Sequence, residues 1–411
     1  LNIGMISTRF NGLDGVSLES AKLADVLRAA GHEVAWFAGE LGERFSPGRV
    51  HPRAHFATPA NRRLEAACFG ALTRSPQITV ALREATEELK AALRSFLEDF
   101  QVDVVVAQNV LCLPMQLPLG LALTEVLAES GMPVVAHHHD FAWERERFAI
   151  HAVPDILAAA FPPVLHRMRH MVIQSGAAEE LRRRRGVEAT LLPNVMDFGR
   201  GPSHVGDPAR FRAHAGLGEH DVVLLQPTRV VPRKGIEITL DLAGALGDDR
   251  VRVVVTHPEG DEGPEYGRSL RARARALGVD LRFVPTQSGY PTSAEQALAD
   301  AYAAADLVCF PSRFEGFGNA LLEAFFYRRP VFVNRYSVYA SDIAPTGVRC
   351  IEVDGALDPV ALDEVQRLLA EPLSWKEAID RNYELGRRHF SYDTVHERFL
   401  PLIDEVAAVA V

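Results

Sequence analysis

Lysine is almost missing from this chain. Only four of its 411 residues are Lys, at positions 22, 90, 234 and 376, against forty Arg. A coding bias towards Arg is the plain reading, and a lysine kept against that bias is worth locating. Positive charge is also short overall. With 44 Lys and Arg against 54 Asp and Glu the formal net charge is −10, which argues against a general affinity for nucleic acid. The four cysteines, Cys68, Cys112, Cys309 and Cys350, make no C-x-x-C pair. Widely separated, they read as buried small hydrophobes in a reducing compartment. Long apolar runs are absent too. The longest, Val102–Ala107 and Met132–Ala136, are strand-sized, so no transmembrane helix is expected. Leu1–Ser7 reads as a strand rather than a leader segment, and a cytoplasmic location is the expectation.

What is present is ordinary globular composition, 47% hydrophobic and 24% charged, over a length that predicts two domains. Short apolar strands alternate with helices from Asn2 to Leu192. The polar, Gly- and Pro-rich stretch from Pro193 to Ser203 then interrupts the pattern and reads as a linker. Alternation resumes at Val222–Gln226 and runs to Pro330–Val333. The expectation is an α/β protein with two doubly wound, Rossmann-like domains facing across a cleft, 1–195 and 196–391. A final helix over about 392–409 is expected to pack back on the first domain. Sheets of this kind bind ligands beyond the carboxyl ends of their strands.

Three strand ends carry chemistry. In Phe310–Ala324 a strand is followed by a turn with Glu315, Gly316 and Gly318, and then by a helix starting near Asn319. Exposed N–H groups at such a helix start favour an anion, and the glycines allow its close approach. Glu315 and Glu323 can both reach that site and suit the hydroxyl groups of a sugar; the plain alternative is a capped helix with solvated acids. In Gln226–Gly235, Arg229 and Lys234 place two cations against one diphosphate. The third end is His137-His138-His139-Asp140. Consecutive residues of a strand point to opposite faces, so one histidine in a hydrogen-bonding or acid–base role is favoured over a metal site. The first loop, Arg9–Gly15, has glycines at 12 and 15 before a helix but lacks the G-x-G-x-x-G of dinucleotide binders. That lack weakens a nicotinamide dehydrogenase reading.

Taken together, these segments resemble the large retaining family of GT-B glycosyltransferases called family 4. Glu315-Gly316-Phe317-Gly318-Asn319, completed by Glu323, is similar to its E-x7-E signature. Arg229 and Lys234-Gly235 resemble its R-x4-K-G, Pro193–Asp197 its P-N-G-V-D, and Tyr302–Asp306 with Pro311-Ser312 its Y-x-x-A-D…P-S. The resemblance implies a nucleotide-sugar donor held mostly by the second domain. In that reading Arg229 and Lys234 stabilise the departing diphosphate, while Glu323 binds the ribose. Glu315 with the N–H groups of Phe317 and Gly318 holds the donor sugar and diphosphate, beside Gly316 and Asn319. His139 or a neighbour contacts the sugar or the acceptor, and Gly15 approaches the diphosphate.

The chain departs from the family pattern at Asn334–Tyr339, where G-G-x-x-E is usual, and in the loop His257–Gly263. No D-x-D is present, so no metal and no cofactor is expected, the UDP- or GDP-sugar being a co-substrate. For the acceptor, Arg9, His137, His138, Arg145 and Arg147 favour a small, acidic, soluble hydroxyl compound. Two alternatives stand beside it: a lipid acceptor reached through peripheral membrane contact of Pro52–Ser75, and a catalytically silent sugar-nucleotide binder. The sequence assigns no oligomeric state. Lys22, Lys90 and Lys376 are expected on helix surfaces.

Overall fold

The computed structural model describes residues 1–12, 14–202, 205–259, 263–286 and 289–408. Leu13 of the first loop, Ser203 of the polar stretch, residues 260–262 of the loop after Thr256, and Val409 lie outside them. The chain forms two compact units. Unit 1 is Leu1–Pro193 with Asp393–Val411, and unit 2 is Asn194–Tyr392.

Unit 1 opens with β1 (Asn2–Ile6), α1 (Gly15–Ala29), β2 (Glu33–Ala38), β3 (Gly48–Val50), α2 (Pro59–Cys68) and α3 (Pro76–Asp99). It continues with β4 (Val104–Gln108), α4 (Leu117–Ser130), β5 (Val134–His138), α5 (Pro154–Ala160), β6 (Met168–Val172), α6 (Ser175–Arg185) and β7 (Ala189–Leu191). All seven strands are parallel, in the order β3-β2-β1-β4-β5-β6-β7. Helices on both faces bury the central strands completely, and β4 and β5 are buried at every position. That is why their sequences are continuous apolar runs rather than alternating ones. Gly131 and Gly186, both left-handed, end α4 and α6.

Unit 2 contains α7 (Pro208–Ala215), β8 (Val222–Gln226), α8 (Ile236–Leu246), β9 (Val251–Val255), α9 (Glu265–Leu277) and β10 (Asp280–Phe283). After α10 (Ala294–Ala304) come β11 (Leu307–Phe310), α11 (Asn319–Phe326), β12 (Val331–Asn334), β13 (Ile351–Val353), α12 (Pro359–Ala370) and α13 (Lys376–His389). Its sheet order is β10-β9-β8-β11-β12-β13. In both sheets the order reverses beside the first strand, between β1 and β4 and between β8 and β11, and crevices for ligands open at such reversals. The last helix, α14 (Tyr392–Ala408), leaves unit 2 at its first residue and docks on unit 1. There Arg169 pairs with Glu405 at 2.8 Å, and Arg398 donates to the Leu191 carbonyl at 2.8 Å.

Three expectations change in detail. The strand expected at His170–Gln174 lies two residues earlier, because the Gln174 side chain caps α6. The stretch read as a linker is packed rather than open: Phe198 is buried against Phe326 and Tyr383, and Gly386 makes room for its ring. Lys90 is not a surface lysine. It is buried on α3 and bonds Glu125 at 2.6 Å and Glu129 at 2.9 Å, both on α4.

Candidate active site

In unit 2 the candidate residues gather where β8 and β11 end. The backbone after β8 makes a 3₁₀ turn over Pro232–Lys234 and enters Gly235 at φ 62°. A Cβ on Gly235 would lie 2.3 Å from the Pro311 carbonyl oxygen, so only glycine lets the two strand ends approach this closely. The approach puts the buried Lys234 ammonium against the buried Glu315 carboxylate, and Arg233 lies 3.3 Å from the same group. Burial pushes the Lys234 ammonium down from its ordinary value; Glu315 pulls it up, while Arg233 and Arg229 push it further down. Glu315 thus serves the buried Lys234 and the nearby Arg233, with Arg229 close enough to add to the positive potential at Lys234.

The turn after β11 delivers Phe317 and Gly318 to the start of α11. Gly318, at φ 129°, precedes the helix with no side-chain cap, which leaves first-turn N–H groups for an anion. Tyr336 supports this turn from beneath, donating its O–H to the Phe317 carbonyl at 2.7 Å; a Cβ on Gly318 would meet its hydroxyl at 2.4 Å. Asn334 donates to the Ser312 carbonyl at 3.0 Å. The segment that departs from the family pattern is therefore a scaffold for the turn. Asn194 donates to Asn319 at 2.6 Å. One helical turn along, Glu323 accepts from the buried Tyr302 hydroxyl at 2.8 Å, and Tyr302 stacks on Tyr327 with ring centroids 4.9 Å apart.

In unit 1 the histidines end β5 and alternate as strand geometry requires. His138 turns to one face, where its ring lies 2.9 Å from His170 and against Phe141. His137 and His139 share the other face, centroids 4.5 Å apart, with His137 held by Gln108 at 2.9 Å. Burial drives the His139 imidazole down to about 4, with Asp140 and Asp14 opposing it. Asn109, at φ 58°, accepts from the His139 N–H at 3.0 Å and donates to Asp140 at 3.1 Å. Sequence reading missed Gln108 and Asn109; two amides ending an apolar strand were the available signal. Among the described residues no group of three His, Cys, Asp or Glu side chains is placed to hold a metal ion.

The basic residues of this unit are engaged unequally. Arg145 is bound to Asp140 at 2.6 Å, and the exposed Arg147 lies over the Phe148 ring. Arg9 lies 3.0 Å from Asp14, the N-cap of α1, while Gly15 opens that helix facing empty space. In the Pro52–Ser75 region, Arg53 pairs with Glu88 and Arg74 with Asp155. No helix of the described residues is long and apolar enough to cross a membrane.

The glycosyl transferases group 1 profile matches residues 208–380. Mannosylglucosylglycerate synthase of Thermotoga maritima is 32% identical, covering 97% of this chain and 98% of its own. The chain is a group 1 glycosyltransferase. A second relative, mannosylglucosylglycerate synthase of Petrotoga mobilis, is 28% identical over 86% of each chain. Among solved structures, the Anabaena protein HepE in complex with UDP and glucose aligns with a TM-score of 0.70 at 13% identity, over 98% of this glycosyltransferase and 99% of that chain. The fold is accordingly GT-B.

Proposed function

We propose that the enzyme transfers a hexose, with retention, from a UDP- or GDP-sugar to a hydroxyl of a small acidic acceptor. The observation that carries the donor half is the buried Lys234, paired with Glu315 and beside Arg233 and Arg229 at a strand end next to an uncapped helix start. A diphosphate is drawn to these cations, and gains negative charge as the glycosidic bond breaks. Glu315 and Glu323 then accept from donor hydroxyls. The anomeric carbon loses its bond to phosphate oxygen and gains one to the acceptor oxygen on the same face. The acceptor proton passes to the departing phosphate, and His139, neutral at physiological pH, serves as a hydrogen-bonding group near the reacting sugar. The acceptor half is supported by the two relatives, whose name describes a product that carries a glycerate. A hydroxy-acid acceptor of that kind fits the arginine-bearing loops of unit 1.

The test is a thermal-shift screen of UDP, GDP, ADP and their sugars, followed by product analysis with glucosylglycerate. Selective stabilisation by one uridine or guanosine compound is expected, and no shift with any nucleotide overturns the donor reading. Lys234→Ala removes the cation nearest the departing charge, so kcat is expected to fall by about 10²-fold or more. Turnover at the native rate would remove Lys234 from the diphosphate site.

A further inference from the structure

One arginine of unit 1 is built into its place. Arg9 follows β1, and its guanidinium carbon sits 5.3 Å from the centre of the Phe56 ring. His55 stacks on Phe56 with centroids 4.7 Å apart and planes 17° from parallel. The His55 Nδ1 accepts from the Ala57 N–H at 3.0 Å, so its ring proton is on Nε2, which lies 3.2 Å from Glu40. The other Glu40 oxygen accepts from the Asn11 amide at 2.6 Å. Asp14 takes one edge of the guanidinium at 3.0 Å. A flexible side chain one third exposed is thus fixed by an aromatic face on one side and a helix-capping carboxylate on another.

This arrangement selects among anions. Arg9 offers a planar fork with N–H groups beyond the one given to Asp14, the geometry that matches a carboxylate. Asp14 already offsets the single charge of Arg9, so a dianionic phosphate entering here would leave a larger uncompensated charge than a monoanion does. Glu40 is half-exposed, and its oxygens keep acceptor capacity for a hydroxyl beyond the two bonds already made. The combination fits a hydroxyl-bearing monocarboxylate.

We propose that Arg9 receives the carboxylate of a hydroxy-acid acceptor and sets the preference for acid over neutral acceptors. Glu40 accepts from an acceptor hydroxyl, and Phe56 and His55 act as positioning residues for Arg9. The inference rests on the acidic-acceptor reading above. Arg145 gives two of its N–H groups to Asp140, whereas Arg9 gives Asp14 one.

The test compares kcat/KM for glucosylglycerate with that for glucosylglycerol, in which a hydroxymethyl group replaces the carboxylate, using the nucleotide sugar that gives the fastest transfer. The wild-type enzyme is expected to prefer the acid. Arg9→Gln is expected to lower that preference at least tenfold, and Phe56→Leu to lower it in the same sense but less. Arg9→Lys, which keeps the charge and loses the fork, is expected to fall between wild type and Arg9→Gln. A ratio cancels any loss of folded enzyme. An unchanged ratio in Arg9→Gln overturns the inference while leaving the acidic-acceptor reading intact. A raised KM for the donor with an unchanged ratio assigns Arg9 to the diphosphate instead, and also overturns it. No acid preference in the wild type removes the acidic-acceptor reading and this inference with it.

Discussion

Gly235 and Gly247 share a left-handed backbone, at φ 62° and 61°, but only one has a neighbour in the way. Alanine at Gly247 meets open space and adds only the cost of that conformation, about 1 kcal/mol. Alanine at Gly235 adds a clash with the Pro311 carbonyl, which belongs to the backbone and cannot rotate aside. Gly235→Ala is therefore expected to lower the melting temperature well beyond Gly247→Ala and to reduce turnover sharply by displacing Lys234. Equal melting temperatures for the two variants would contradict the close approach. At this scale the sequence was partly legible. Lys234 stood out because lysine is so scarce, and Gly235 because it follows directly. His138 was grouped with its neighbours, yet the structure turns it to the opposite face onto His170, 32 residues away. No spacing rule reports a partner that distant until the strand order is known.

Between elements, the motif residues act in pairs. Asp306, the residue before β11, accepts from the Val223 N–H of β8 at 2.7 Å and so helps set the register of the two strands whose ends carry the site. Tyr302 on α10 donates to Glu323 on α11, fixing one carboxylate oxygen. If Glu323 binds the donor ribose, Tyr302 positions it without touching donor. Tyr302→Phe keeps the stack on Tyr327 and removes only the hydroxyl. Its expected effect is a several-fold rise in the KM for donor with kcat within about twofold, about the 0.5–1.5 kcal/mol of one hydrogen bond. A fall in kcat at constant KM would move Tyr302 out of the positioning role. The strand–helix alternation was legible because a parallel sheet covered on both faces needs continuous apolar strands. The packed segment near Phe198 was not, since its polar, Gly- and Pro-rich composition hides one ring that fills the space left by Gly386.

Across the whole molecule, the buried imidazoles of unit 1 tie stability to pH. Burial pushes His137 and His138 well below their ordinary value and brings His139 and His170 to about 4. These side chains bind a proton in the unfolded chain at pH values where the folded protein leaves them neutral. Stability is therefore full above about pH 6.5 and falls as pH drops towards 4, by about 1.4 kcal/mol per pH unit for each fully buried group. The paired carboxylates act in another window. Asp300, brought to about 2 despite its burial by bonds from Arg210, Gln296, Tyr290 and the Asp207 N–H, gives stability that is lost only below about pH 4. Lys90, raised by Glu125 and Glu129, gives stability that is lost only in alkali. Unfolding by urea should thus show a midpoint that drops between pH 7 and pH 5, before the carboxylates titrate. His170→Gln removes one of the four groups without removing the volume, and its midpoint should fall less steeply over the same interval. A midpoint identical at pH 7 and pH 5 in the wild type would mean that these histidines reach water in the folded chain. That outcome would remove the burial that holds His139 down, whereas a steep drop relaxed by His170→Gln assigns part of the acid sensitivity to the His138–His170 contact between β5 and β6.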